Sequence, residues 1–290
     1  MSSQLVASAD LLPVARRRLQ LSGTEPIGRP IKGRSQRCEH PAVQADHEAA
    51  VRRAIVGMHE MLYQTLRLED AAAAAIYSRF HFHRTFRQVT STTPARFLAS
   101  LRMQRAKQLL ADSDMTVTLI SGLVGYESLG TFTTQFGRLV GLAPGRFRQL
   151  VDACGDRRLS EFDLGAPTGG RLPVLCTAPR GTRLTGRITL IGLFESELPS
   201  GSPTGFTMLR DGGPADIMPP AGRSVLAWSV PDDILLSELA VGSIAGALVG
   251  RAAISGSGSG GVLDLQLHRP RLVDPPVVSA APVQYLIGRR

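Results

Sequence analysis

Long apolar runs and paired cysteines are missing from this 290-residue chain, and it has only two lysines and one tryptophan. No stretch approaches the ~18 consecutive apolar residues of a membrane-spanning helix, so no membrane association is expected. The N-terminus lacks the apolar core of roughly 7–15 residues behind basic residues that marks a secretory signal, so a cytoplasmic protein is expected. The three cysteines, Cys38, Cys154 and Cys176, are odd in number and widely spaced, without a C-x-x-C. That excludes a disulfide scaffold and suits a reducing compartment. Cys38-Glu39-His40 offers two ligand types but no second pair, so no metal or cofactor site is read from it.

Of the 33 basic residues only Lys32 and Lys107 are lysines; the other 31 are arginines. The net charge is +9, but from Gly181 to Arg290 nine Arg balance nine Asp plus Glu. The surplus therefore lies in the N-terminal half, and an anionic partner is expected there. A hydrophobic fraction of 43% is ordinary for a globular chain, and this length suggests two domains of roughly 100–200 residues.

The most informative stretch runs from Ser78 to Thr90. At helical spacing Phe82, Phe86 and Val89 form one apolar stripe, while Phe80, His83, Arg84 and Arg87 lie on the opposite side. The same register sets His81 at the packed rim and His83 outward. From Ala71 to Ala111 there are seven Arg or Lys and no Asp or Glu. A short helix with one packed face and one cationic face suits a nucleic acid.

The stretch recurs. A shift of 50 positions carries Ser78, Phe82, Phe86, Pro94, Arg96 and Phe97 onto Ser128, Phe132, Phe136, Pro144, Arg146 and Phe147. One supersecondary unit is present twice.

Along the chain, residues 1–45 mix Pro, Gly, Ser and Arg without apolar period, and read as a disordered basic leader or as an arm adding phosphate contacts. An amphipathic helix follows from Asp46 to about Leu66, then a short Ala-rich helix from Leu68 to about Tyr77. Ser78 is a plausible N-cap for the basic helix, which completes a helix-turn-helix. Thr93-Pro94 opens a helix over Ala95–Ala111, about 25 Å long. Helices are expected again over 116–124, 128–140 and 144–151. Residues 153–182 read as a linker with room for some packed pieces. Beyond it the period becomes two, with strands near 187–194, 205–209, 224–230, 246–254, 262–268 and 283–287, and a helical turn over 232–239.

Leu68-Glu69-Asp70-Ala71-Ala72, Ser78-x-Phe80-His81-Phe82-x-Arg84-x-Phe86, Thr93-Pro94, Leu101-Arg102-Met103-x-x-Ala106-x-x-Leu109-Leu110, Gly125-Tyr126-Glu127-Ser128, Phe132, Phe136 and Pro144-x-x-Phe147-Arg148 together resemble the double helix-turn-helix of AraC/XylS-type transcription regulators. The resemblance covers about residues 46–152. It implies an all-α, homeodomain-like double helix-turn-helix over 46–152; with the period-two segments beyond, read as a small, mainly-β, sandwich-like accessory domain over 183–290, the chain is expected to be multidomain. The resemblance also implies seven helices, with a central linker helix that sets two recognition helices into successive major-groove segments of double-stranded operator DNA. RNA polymerase and a small-molecule effector become candidate partners.

On that resemblance, base-edge contacts fall to Phe80, His83 and Arg84 in the first unit, with Phe80 against a thymine methyl and Arg84 forked onto guanine. In the second unit the equivalent face is Leu129, Gly130, Thr131 and Thr134. These are smaller than the family's usual long polar or basic residues, so the first helix is expected to carry most direct readout. Phosphate contacts are expected from Ser78, Arg79, Arg87, Ser128, Arg138, Arg146 and Arg148, which open or flank the recognition helices. Ser91 stands where the family has Gly at a turn, and Ser121 where it has Ala. Arg102, Arg105 and Lys107 read as the solvated face of the linker helix.

Gly186–Phe194, Pro231-Asp232 and Asp274-Pro275-Pro276 resemble a transthyretin-like or carboxypeptidase-regulatory-like β-sandwich. Sensing, pairing and stiffening all remain open for it. No Ser-His-Asp, Cys-His or paired-carboxylate spacing appears, His268 stands alone, and Ser255–Gly261 lacks the Lys-Ser/Thr of a phosphate loop. A non-enzymatic regulator is therefore expected. The alternatives are a DNA-repair regulator that takes an alkyl group onto Cys38, and a nonspecific architectural binder.

Overall fold

The computed structural model describes residues 41–63, 78–164, 172–195, 200–217, 224–242, 244–254 and 262–288. The Ala-rich helix expected over 68–77, the Cys38-Glu39-His40 fragment and most of the basic leader lie outside the described residues.

Helix α1 (Pro41–Glu60) starts earlier than the expected Asp46, with Pro41 at the first helical position, where a missing N–H costs nothing. Residues 41–45 are thus helical and not part of a leader. Its buried Ala50, Ala54 and Met58, with Val51 and Ile55, follow the i, i+4 period that lays one stripe against a core. Helices α2 (Arg79–Thr90), α3 (Pro94–Asp112), α4 (Val117–Leu123) and α5 (Leu129–Val140) each begin at a hydroxyl N-cap: Ser78, Thr93, Thr116 and Ser128. In each case the side chain accepts a hydrogen bond from a backbone N–H three residues on, which satisfies one of the orphan donors of the first turn. Helix α6 (Pro144–Cys154) completes the helical part.

Two aromatic triads hold the two units. Ring centroids lie 5.5 Å apart for Phe82–Phe86 and 5.5 Å for Phe86–Phe97. Their counterparts Phe132–Phe136 and Phe136–Phe147 lie 5.6 and 5.8 Å apart. All six rings are fully buried, and each contributes about 1.5–3 kcal/mol of apolar burial. Helix α3, 19 residues and about 28 Å long, serves both units. Its Phe97, Leu98 and Leu101 enter the first core with α1 and α2, and its Met103, Ala106 and Leu110 enter the second.

Two sheets follow. Strands β2 (Arg187–Phe194), β3 (Gly205–Arg210), β5 (Ser224–Pro231) and β6 (Leu248–Ala253) form an antiparallel sheet in the order β3-β2-β5-β6. Strands β1 (Leu172–Thr177), β4 (Pro214–Ile217) and β7 (Leu263–Gln266) form a second sheet in the order β4-β1-β7, with β1 parallel to β7. Helix α7 (Leu236–Val241) lies between β5 and β6, and α8 (Ala281–Gly288) closes the described chain.

The four-stranded sheet is covered on both faces. Ile188, Leu190, Trp228 and Val230 join the core of the second helical unit, while Ile191, Leu193, Val225 and Ala227 join a core shared with Val174, Cys176 and Leu265 of the other sheet. Covered on both faces, β2 and β5 are buried almost end to end, so the period of two expected over 187–194 and 224–230 does not separate a buried face from an exposed one.

Three expectations are corrected. The stretch 153–182 is not a bare linker: it holds a 3-10 turn at Leu159–Glu161, tied by the Leu159 N–H to the Ile234 carbonyl, and strand β1. Strand β1 is short and flanked by Gly and Pro, and its partners β4 and β7 lie far along the chain, so local sequence gave it little weight. The strand expected over 283–287 is helix α8; Val283 and Leu286 lie on one side at i, i+3, buried in the core of the second helical unit. The boundary between a helical domain ending at 152 and a β domain beginning at 183 is not a packing boundary either. One continuous core runs from α3, α5 and α6 into the four-stranded sheet, and His40–Arg290 forms one compact unit.

Candidate nucleic-acid interface

Helix α2 presents Phe80, His83, Arg84 and Arg87 outward, with Phe80 81% exposed, while Phe82, Thr85 and Phe86 are buried beneath them. Arg79 belongs to the first turn of the helix; its side chain lies outside the described residues. His81 meets His47 of α1 edge-on, ring centroids 5.6 Å apart, which is the rim position its register predicts. Among the first-turn residues of α2 none is acidic, so the positive end of the helix dipole and the backbone N–H groups behind Ser78 remain suited to an anion.

Helix α5 repeats the arrangement with different chemistry. Leu129 (42% exposed), Gly130, Thr131 and Thr134 form its outward face. The Ser128 hydroxyl bonds the Thr131 hydroxyl at 2.8 Å as well as capping the helix. Both helices end in left-handed geometry, at Ser91 (φ 58°) and Gly141 (φ 92°), again 50 residues apart. Ser91, which stands where the resemblance has Gly, thus holds a positive φ without glycine's freedom.

The arginines separate into two groups. Arg84 and Arg87 are exposed on α2; Arg138 is exposed and bonds Gln135 at 3.2 Å, and Arg146 is exposed and bonds Gln149 at 3.1 Å. Arg148 differs from its expected role. Its guanidinium donates to the carbonyls of Leu110 (3.2 Å), Ser113 (3.3 Å) and Met115 (2.6 Å), closing the C-terminus of α3 and the turn after it. It holds the fold and is withdrawn from the phosphate set.

The expected solvated face of α3 is corrected in the same way. Only Arg105 is exposed there, bonded to Gln108 at 3.2 Å. Arg102 donates to the Leu62 carbonyl at 3.1 Å and lies 5.6 Å from the centre of the Tyr126 ring, so it joins the end of α1 to the turn before α5. Lys107 is fully buried, donates to the Val278 carbonyl at 3.1 Å, and lies 5.8 Å from the centre of the Phe147 ring. Burial pushes its ammonium down to about 7.

Arg96, absent from the expected set, lines a cleft of about 370 Å³ with Arg138; Ser200, Ser202 and Thr204 of the β2–β3 connection and Glu195 complete it. Arg96 is the 50-residue counterpart of Arg146, so the internal repeat itself was the signal that could have found it. Neither described cysteine is an activated nucleophile: burial pushes the Cys154 and Cys176 thiols up to about 11. Among the described residues no group of three His, Cys, Asp or Glu could hold a metal, and no described helix is long and apolar enough to cross a membrane.

Residues 71–150 match the family described as a helix-turn-helix domain. The MmsAB operon regulatory protein of Pseudomonas aeruginosa is 33% identical over 122 residues, 41% of this chain and 39% of that protein. The RCS-specific HTH-type transcriptional activator RclR of Escherichia coli is 37% identical over 94 residues, 32% of this chain and 33% of its own. The chain thus spans about two fifths or less of the length of these relatives. Among solved structures, the DNA-binding domain of AdpA in complex with a target DNA is similar over 36% of this chain and 94% of that one, at 30% identity and a TM-score of 0.35. A probable AraC family transcriptional regulator from Rhodopseudomonas palustris is similar over 35% and 95%, at 24% identity and a TM-score of 0.33. The twin capped helices and the paired aromatic triads fall largely within this family match, so residues 71–150 carry a helix-turn-helix domain similar to those of AraC-type regulators.

Proposed function

We propose that the whole chain is a sequence-specific, DNA-binding transcription regulator in which α2 and α5 enter successive major-groove segments on one face of the duplex. The observation that carries this reading is the duplication itself. Two 12-residue helices share a Ser N-cap, a positive-φ stop and a Phe triad, and one rod, α3, spans both cores. A rod of about 28 Å plus helix widths suits grooves about 34 Å apart. Base edges fall to Phe80, His83 and Arg84, and to Leu129, Gly130, Thr131 and Thr134; phosphates fall to Ser78, Arg79, Arg87, Ser128, Arg138 and Arg146, with Arg96 added. The two stacked sheets form a sandwich-like accessory module fused to the second unit. RNA polymerase is the partner that an activator needs; the activity is regulatory and not catalytic, and the setting is the cytoplasm.

Selection of bound sequences from a random duplex pool, followed by binding at fixed salt, tests the proposal. The specific-to-nonspecific affinity ratio is expected to reach ~10³ or more. A ratio near one favours the architectural reading, for which the short side chains of α5 are the specific observation. The alkyl-acceptor reading rests on Cys38, outside the described residues, and mass spectrometry after incubation with methylated DNA decides it.

A further inference from the structure

One segment touches both helical units. Leu272 and Val273 pack in the core of the first unit with α1, α2 and α3. The Val278 carbonyl accepts from buried Lys107 at mid-α3. The Ala280 N–H donates to the Val140 carbonyl at 2.9 Å, and the Ser279 hydroxyl donates to the Gly201 carbonyl. Gly201 in turn donates its N–H to the Leu139 carbonyl at 2.6 Å. Two carbonyls in the last turn of α5, which the helix itself leaves without partners, are thus satisfied from outside it. Between these anchors stand Pro275 and Pro276, whose fixed φ makes the segment a stiff strap. Partly buried Arg251 donates to the Pro275 carbonyl.

Against the middle of the strap lies a pocket of about 210 Å³. Its walls are Trp228 and Val249 of the four-stranded sheet, Ile244 of the turn after α7, and Pro270 and Pro276 of the strap and its approach, with Asp274 as its charged member. Asp274 Oδ2 is occupied, accepting from the Arg271 N–H at 2.7 Å and its Nε at 3.5 Å with His268 Nδ1 3.6 Å away, whereas Oδ1 accepts only from the Arg271 guanidinium at 3.2 Å and has capacity for one more donor. Gly242 joins the pocket to the strap's anchor: a Cβ there would stand 2.8 Å from the Val277 carbonyl and 3.2 Å from Lys107 Nζ.

We infer that the pocket beside Trp228 binds a small aromatic molecule carrying one hydrogen-bond donor, and that the strap from Leu272 to Ala280 relays its occupancy to both recognition helices. A dry cavity of about 150 Å³ already accommodates benzene, so this volume suits a single substituted ring, flanked by an indole and proline rings, its donor turned to Asp274. A ring pressing on Pro276 displaces a stiff segment whose two ends are fixed, one in the first unit's core and one at the end of α5. The relative setting of α2 and α5 then depends on the ligand. The relay rests on the reading of α2 and α5 as recognition helices; the pocket does not.

Trp228 is the only tryptophan in the chain, so its emission reports on this pocket alone. Phenol, aniline and benzyl alcohol are titrated into the full chain, with benzoate as the charged control. A saturable change in Trp228 emission is expected with a neutral ring, weaker or absent with benzoate, which has no donor to offer Asp274, and lost in Ala247→Leu, which fills the pocket. Operator affinity is expected to change about fivefold or more with the ring present. In Pro276→Gly the emission change is expected to persist while the shift in operator affinity disappears. No saturable change with any neutral ring, an equal response to benzoate, or an undiminished response in Ala247→Leu overturns the site. Ring binding that leaves operator affinity unmoved, or a Pro276→Gly chain that still shifts it, overturns the relay. If Ala247→Leu does not fold, the comparison of neutral ring with benzoate decides the site. Failure of sequence-specific binding without ligand sinks the regulator reading instead, and is measured separately.

Discussion

The ammonium of Lys107, one of only two lysines in the chain, sits 3.1 Å from the carbonyl oxygen of Val278, 171 residues further on. It joins the middle of the helical rod to the strap of the β module. The contact couples two regions that composition had separated into a cationic half and a neutral third.

Its first consequence is a dependence on pH. The folded chain releases the Lys107 proton at about 7, whereas an unfolded chain holds it to ~10.4. Between those values the unfolded state binds more protons, so this group makes folding more favourable as pH rises from 7 towards 10; below 7 both states are charged and the slope vanishes. Urea unfolding of the parent chain and of Lys107→Met at pH 7, 8 and 9 checks this. The stability difference, parent minus variant, is expected to grow with pH, and a flat difference contradicts a neutral buried amine.

The two helix stops predict opposite responses. Ser91 pays for a left-handed φ of 58° that Gly141 adopts freely, so Ser91→Gly is expected to stabilise the chain by about 0.5–1 kcal/mol. Gly141→Ala is expected to destabilise it, because φ is 92° and the new Cβ would stand 3.2 Å from Ser202 Oγ. Thermal unfolding of both variants distinguishes the signs.

Among the arginines, three outcomes are expected. Arg84→Ala costs ~1–3 kcal/mol of operator binding and relaxes base preference, while Arg146→Ala weakens all sequences alike and lowers the salt slope by about one. Arg148→Ala leaves the salt slope unchanged and lowers the unfolding midpoint, since three carbonyls lose their donor. Gel shifts over a salt series, with urea unfolding alongside, separate the three.

The triads differ in reach. Phe86→Ala and Phe136→Ala each remove a buried ring worth ~3–5 kcal/mol. Phe136 shares its core with β2, β3 and β5, so hydrogen exchange in that variant is expected to accelerate in the sheet as well as in α4–α6. In Phe86→Ala acceleration is expected in α1 and α2 while the sheet stays protected.

What could be read from the residues alone was local or periodic. Hydroxyl caps, Pro at the start of α3 and α6, the apolar stripe of α2 and the Phe pairs at i, i+4 all act within a few residues, and the 50-residue shift multiplies each into a second instance. The outward faces of α2 and α5 follow from the same register, since once Phe82 and Phe86 turn inward, Phe80, His83 and Arg84 must turn out. The fate of the long cations was decided elsewhere. Arg102, Lys107, Arg146 and Arg148 are alike in a helical pattern, yet the first two bridge elements, the last closes a helix and only Arg146 stays in solvent. A flexible stem lets the charged head go to whatever carbonyl or ring lies opposite, and only the packing of distant segments puts one there. The same holds for β1 beside β7, for α8 in place of a strand, and for the core that runs from α3 into the four-stranded sheet. Periodicity shows which side of an element is buried; which surface buries it depends on chain brought back from a hundred residues or more away.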